Sequence, residues 1–173
     1  FRSQDTTRYG LDLDGRPQLA ELLRQLDALP GIEWVRVLYL YPEMLSSQLL
    51  QTMATLPHVC NYVDLPLQHV DDEVLRRMHR RSNRAQIEDI LTRVRALPEP
   101  FLIRTTMIVG FPGETEAQFQ ELLDFIEDQP FDLLGAFPYS PEEGTPAAAF
   151  PDQVPEEVKQ ERLDALMLRQ QAV

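Results

Sequence analysis

Arg104-Thr105-Thr106-Met107-Ile108-Val109-Gly110-Phe111-Pro112-Gly113-Glu114-Thr115-Glu116 is the stretch on which the fold turns. From Phe101 to Val109 the residues are mainly apolar or β-branched, the composition of a strand buried on both faces. Gly110, Pro112 and Gly113 break the strand. Thr115 can cap the helix that follows, its hydroxyl accepting from a first-turn amide while Gln118 reaches back. The stretch therefore reads as strand, tight loop, helix. Such a loop leaves backbone N–H groups unpaired beside glycines that admit a ligand close to the main chain, so it is a candidate site. It also fits an ordinary strand-to-helix connection. Two polar residues favour a site. Arg104 lies inside the apolar strand, where a guanidinium needs an anionic partner to offset its desolvation. Glu114 stands at the loop mouth, where a carboxylate can accept from an amine or hydroxyl.

The same alternation extends in both directions. Upstream, Pro17 opens a helix whose Leu19, Leu22, Leu23, Leu26 and Leu29 form one apolar stripe. Trp34 to Tyr41 reads as a strand closed by Pro42, and Leu45 to Leu56 as a second amphipathic helix. Val59 to Leu67 is the next strand, with Pro66 marking an edge, a bulge or its last residues. A short helix from Asp71 or Asp72 ends in a basic run, Arg76-Arg77-Met78-His79-Arg80-Arg81. That run fits a solvated helix end favoured by the helix dipole, and it also fits a contact for an anionic partner. A long helix follows from Asn83 to Leu97. Downstream of the central loop come a helix with Phe119, Leu122, Leu123 and Ile126 inward, a strand from Phe131 to Phe137, and a proline-rich loop. The last helix, from Val154 to about Gln171, is expected to pack at the domain's rim. Strands beginning near 34, 59, 101 and 131 alternate with helices, which implies a parallel sheet with helices outside it. The polar loops then fall at the carboxyl ends of the strands, where ligands sit in such folds.

The totals narrow the function classes. A length of 173 residues with 43% hydrophobic residues suits one domain with a real core. Sixteen basic against 28 acidic residues give a formal net charge of −12, which opposes non-specific attraction to nucleic acid. The chain begins without Met or a signal-peptide pattern and has no apolar run long enough to cross a membrane, so it is expected to be cytoplasmic and part of something longer. Cys60 is the lone cysteine, expected as a small core hydrophobe, and it cannot complete a disulfide or a metal site. His69 follows a strand end, a position that fits a pocket-facing residue, though a lone loop histidine more often faces solvent.

Five motifs in order, Asp5-Thr6-Thr7-Arg8-Tyr9-Gly10, Tyr39-Leu40-Tyr41-Pro42, Leu65-Pro66-Leu67-Gln68-His69, Ile108-Val109-Gly110-Phe111-Pro112-Gly113-Glu114-Thr115 and Tyr139-Ser140-Pro141-Glu142-Glu143-Gly144-Thr145-Pro146, resemble the radical-SAM core of the methylthiotransferases. The resemblance runs from residue 4 to about residue 162. The Gln4-to-Gly10 opening and Arg104-Thr105-Thr106 resemble the RimO branch, which modifies an aspartate of a small-subunit ribosomal protein, more than the MiaB branch, which modifies an adenosine in tRNA.

The resemblance implies a partial TIM-type (βα) barrel over residues 1–154, lacking the cluster-binding first strand and loop, and a rim helix at 155–173 leading toward a TRAM domain. It implies S-adenosylmethionine and 4Fe–4S clusters as cofactors. In this family a cluster held by three cysteines reduces S-adenosylmethionine to a 5′-deoxyadenosyl radical, which abstracts a hydrogen before a methylthio group is installed with the help of a second cluster. The cluster cysteines are not in this chain, so it is expected to be inactive alone. What the resemblance carries over is a wall for S-adenosylmethionine: Ile108, Gly110, Phe111, Gly113 and Glu114 near the adenine, Gln68 near the ribose and methionine part, Arg104 for the methionine carboxylate and Asp5 for its amine. Tyr41 and Tyr139 are either the substrate mouth or packed aromatics. A non-radical βα-barrel enzyme using the Gly110–Gly113 loop for a phosphate, and a non-catalytic binding module, stay open as other classes. A sheet edge without its neighbouring strand is expected to promote self-association.

Overall fold

A computed structural model of the chain describes residues 5–172. Gln4, the first residue of the opening motif, lies outside them. Three strands, β1 (Tyr62–Gln68), β2 (Leu102–Val109) and β3 (Leu133–Pro138), pair in the order β1-β2-β3 and run parallel. Helices α4 (Asp72–Arg77) and α5 (Arg84–Arg95) connect β1 to β2, and α6 (Glu116–Asp128) connects β2 to β3. This is the alternation expected from the apolar periodicity. The chain divides into two compact units: the described residues up to Pro66 with Ala85–Arg104, and Leu67–Arg84 with Thr105 onward.

In the first unit the short α1 (Leu11–Asp14) precedes α2 (Leu19–Asp27), which packs on α3 (Ser47–Thr55). Leu19 and Leu23 are buried on one, and Leu49, Leu50 and Met53 on the other, as their three- and four-residue spacing requires. Ser46 caps α3 by accepting from the Leu49 amide at 3.1 Å. Ile87, Ile90, Leu91 and Val94 form the buried face of α5.

The strand expected at Trp34–Tyr41 is the main departure. Val35 makes one parallel bridge to Val59, and the Leu40 amide donates to the Asp64 carbonyl at 2.8 Å, but no ladder joins these two points. Both ends share one register. Between them Tyr39 takes the left-handed conformation, with φ of 56°, which interrupts the pleat. Its backbone is bonded elsewhere: the amide donates to Asp64 Oδ2 at 3.1 Å, and the carbonyl accepts from the Thr6 amide at 3.0 Å. Trp34, expected inside a buried strand, is 84% exposed.

In the second unit α6 begins with the expected capping box, Thr115 and Gln118 each accepting from the other's backbone amide. Phe119, Leu122, Leu123 and Ile126 are buried as their spacing predicts, joined by Phe125. Each such side chain contributes about 1.5–3 kcal/mol relative to exposure. The last helix, α7 (Glu156–Ala172), packs on α6 and β3. It is more than a rim element, because it buries Lys159, Arg162 and Leu166.

Candidate functional site

The β2 strand ends at Val109, and Gly110 turns the chain with φ of 70°. Four of the loop's amides are bonded within the chain. The Gly110 amide donates to Glu114 Oε2 at 2.9 Å, the Glu114 amide to the Phe111 carbonyl at 2.9 Å, and the Gly113 amide to the Asp152 carbonyl at 2.8 Å. The Thr115 amide donates to Gln118 Oε1 at 2.9 Å. The glycines admit side chains of the protein itself: a Cβ at Gly110 would run into Lys159 Cγ, and one at Gly113 into Arg77 and Asp152. The open anion cradle expected from the glycine spacing is therefore closed by intramolecular bonds.

Glu114 is also placed differently from the expectation. Its side chain has no exposed surface. Oε1 accepts from Arg162 Nη1 at 2.8 Å, and Oε2 already holds the Gly110 amide. The carboxylate tethers the loop to α7 and does not stand at a mouth. His69 departs in the same direction: it is wholly buried, with Nε2 3.6 Å from Glu114 Oε2. Its Nδ1 accepts from the Asp71 amide at 3.0 Å, so the ring proton of the neutral form is on Nε2. The helix-turn geometry that buries His69 gave no periodic signal in the sequence.

The second unit contains a cavity of ≈ 350 Å³. Three of the expected residues meet there: Gln68 at the end of β1, Ile108 near the end of β2, and Phe111 in the loop. Phe111 packs edge-on against Tyr139, centroids 5.1 Å apart, and against Phe150 at 6.3 Å. Gln68 has φ of 73°, uncommon for a residue other than glycine. Such conformations concentrate at ligand clamps, because surrounding structure must hold them. The Tyr139 hydroxyl is buried and has no hydrogen-bond partner among the described residues. The basic run reaches the same cavity through Arg77, His79 and Arg80. Arg77 Nη2 donates to both carboxylate oxygens of Asp152 at 2.8 Å, and this bond holds the Asp152 carboxyl below its ordinary range.

Gly110, Gly113 and Glu114 shape the loop without lining the cavity. Arg104 and Asp5 belong to the first unit. Arg104 Nη1 donates to Asp64 Oδ1 at 2.8 Å, and this bond raises the guanidinium further above its ordinary value. Asp5 caps the turn Thr6–Arg8, its Oδ1 accepting from the Thr7 amide at 3.1 Å. The anionic partner that Arg104 requires is thus Asp64, a buried carboxylate in an apolar strand that sequence reading passed over. Arg162 was missed as well, since a cation on a charged helix looks solvent-facing until its partner is known.

The cavity suits S-adenosylmethionine in size class and lining. It lies at the small end of ligand pockets, and Ile108 and Phe111 give it an apolar wall for a ring, with Gln68 and the unpartnered Tyr139 hydroxyl as polar groups. An iron–sulfur cluster is not accommodated by these residues. Among the described residues no group of three His, Cys, Asp or Glu could hold a metal, and Cys60 is the single, half-buried cysteine.

The chain resembles known proteins in sequence and in fold. The family model described as the radical SAM superfamily matches residues 7–126. Among curated proteins, the chain is 51% identical over 99% of its length to the ribosomal protein uS12 methylthiotransferase RimO of Geobacter sulfurreducens, and 55% identical over 99% to that of Moorella thermoacetica. It spans 38% and 40% of those proteins. Among solved structures, the coproporphyrinogen III oxidase HemN of Escherichia coli, a radical SAM enzyme, superposes with a TM-score of 0.61 at 18% identity, over 90% of this chain and 35% of that one. The expected partial βα-barrel class is borne out by this likeness and by the parallel strands.

Proposed function

The chain belongs to the radical SAM superfamily, and on that premise we propose that the longer protein of which it is a part is a RimO-type methylthiotransferase acting on an aspartate of the ribosomal protein uS12. The observation that carries the reading is identity of about one residue in two, over nearly all of this chain, to curated proteins of that name. The tRNA-directed branch is the second reading, and the net charge of −12 weighs against it.

In this reading the second unit holds the cofactor. Ile108 and Phe111 pack on the adenine, while Gln68, fixed in its left-handed conformation, presents its amide toward the ribose and methionine part. Gly110, Gly113 and Glu114 position Phe111 from behind. Arg104 and Asp5 have partners within the first unit, so the proposal gives them no contact with the cofactor. S-adenosylmethionine held in the second unit would, on accepting one electron from a reduced 4Fe–4S cluster, release methionine and supply the 5′-deoxyadenosyl radical of this superfamily. The apolar wall keeps water from that region.

Three further expectations belong to the proposal. The protein works in the cytoplasm, and among the described residues no helix is long and apolar enough to cross a membrane. Residues 155–173 lead on to a TRAM domain. The chain by itself self-associates through the incompletely paired segment of the first unit, where Trp34, Leu38 and Tyr39 are exposed. Strictly monomeric sedimentation at high concentration would count against the last point.

The test is anaerobic reconstitution of the full-length protein, followed by incubation with uS12 or with tRNA. The reading expects uS12 to gain the mass of one methylthio group and tRNA to stay unmodified. Modification of tRNA alone would favour the second reading.

A further inference from the structure

Three of the rings that line the cavity touch one another: Phe111 meets Tyr139 and Phe150 edge to face, at 5.1 Å and 6.3 Å between centroids. Each outer ring also carries a cation. Lys159 Nζ lies 5.5 Å from the centre of the Tyr139 ring, and the Arg77 guanidinium carbon 5.1 Å from that of Phe150. The two outer rings differ in what holds their backbone. Tyr139 follows directly on β3, and its amide donates to the Val109 carbonyl of β2 at 2.8 Å. Phe150 belongs to the connection between β3 and α7, whose one regular turn is Pro146–Ala149.

That connection is closed on itself by the Gln153 carboxamide, which donates to the Ala147 and Phe150 carbonyls at 2.9 Å and 3.0 Å. Asp152 attaches it to the opposite wall of the cavity. Its carbonyl accepts from the Gly113 amide at 2.8 Å, and both its carboxylate oxygens accept from Arg77 Nη2 at 2.8 Å. Gly113, having no Cβ, leaves room for this pair against the loop. Arg77 thus acts on Phe150 twice, by contact with its ring and by holding Asp152 two residues further on. A planar guanidinium does both at once, pairing through its edge and stacking through its face. The pair is 25% exposed on Arg77 and 43% on Asp152, and ion pairs so open to water add little to global stability. Its geometry therefore points to placement of the connection rather than to stability.

We propose that Arg77 is a positioning residue for the adenosyl group: acting through Asp152 and Phe150, it clamps the 145–152 connection onto the Phe111 loop and so sets the apolar wall of the cavity. The inference rests on the functional reading above and deepens it. Within the basic run, Arg77 neither waits for an anion nor merely ends a helix, because Asp152 already matches its charge.

The experiment uses the full-length protein as wild type, Arg77→Met, Asp152→Asn, the double variant and Arg76→Gln. Arg76 pairs with Glu73 on the exposed face of α4 and does not line the cavity, so the last variant removes the same charge elsewhere. S-adenosylhomocysteine affinity is read by calorimetry, and amide hydrogen exchange of residues 110–116 and 145–153 by mass spectrometry in the cofactor-free protein. Urea midpoints, expected to stay close to the wild type, separate a loss of affinity from a loss of fold. Arg77→Met should weaken binding by about tenfold and Asp152→Asn by less, with the double variant no weaker than Arg77→Met, because the two residues act as one unit. Exchange in both segments should quicken in the same three variants, and Arg76→Gln should match the wild type in both readouts. Unchanged affinity in a folded Arg77→Met protein would overturn the inference. Additive losses would overturn it too, since Arg77 would then act on the ligand without Asp152. Failure of the wild type itself to bind S-adenosylhomocysteine would sink the cofactor reading, and exchange alone would then decide the clamp: faster in Arg77→Met upholds it, and equal to the wild type removes it.

Discussion

Arg162 on α7 donates to the Glu114 carboxylate at 2.8 Å, with Arg162 only 8% exposed and Glu114 not at all. The same guanidinium nitrogen also donates to the Glu114 carbonyl at 3.1 Å. The final helix is thereby joined to the loop that carries Phe111.

Removing one partner of a buried pair leaves the other charge unmatched, which costs about 3–5 kcal/mol. Arg162→Met should lower stability by that amount in urea denaturation. Glu114→Gln keeps an acceptor for the Gly110 amide and should cost less. Equal midpoints for Arg162→Met and the wild type would contradict this placement of α7.

Gly110 and Gly113 should resist substitution for two separable reasons. Alanine in the left-handed region costs about 1–2 kcal/mol, and its Cβ at position 110 would meet Lys159 Cγ. Gly110→Ala should therefore lose more than the conformational cost alone. Adding Lys159→Ala should recover the clash and leave the conformational part, a non-additive pair. Strict additivity in thermal or chemical denaturation would show that Lys159 does not approach Gly110.

Asp152 offers a pH test. Its carboxyl is pulled below the ordinary value of 3.8, first by the hydrogen bond from Arg77. A folded value below the unfolded one means that the contribution is present above the unfolded value and is lost as pH falls through the folded one. NMR titration should find Asp152 ionising below 3.8 in the wild type and moving up in Arg77→Gln. No movement would break the assigned bond.

Much of the fold was legible because it rests on period and punctuation. Ile87, Ile90, Leu91 and Val94, and Phe119, Leu122, Leu123 and Ile126, are spaced for helices and are buried in them. Thr115 and Gln118 announced their capping box. The strand at 34–41 was misread because apolar content does not reveal that Tyr39 turns left-handed under the hold of Asp64 and Thr6. Within the site, Gln68, Ile108 and Phe111 line one cavity, residues that the family resemblance had grouped. Glu114, Arg104 and His69 were placed by type alone. The partners Arg162 and Asp64 lie 48 and 40 residues from Glu114 and Arg104, separations that no local pattern links, while His69 is bonded by an amide only two residues away, in a turn without apolar periodicity.

The central claim is that the cavity beside Phe111 takes the adenosyl group, and the direct measurement is S-adenosylhomocysteine binding by calorimetry with the full-length protein. Phe111→Ala removes the ring that walls the cavity and should weaken binding by about tenfold or more, while Phe111→Leu, which keeps an apolar side chain, should retain much of it. Unchanged affinity in a folded Phe111→Ala protein would show that the cofactor binds elsewhere.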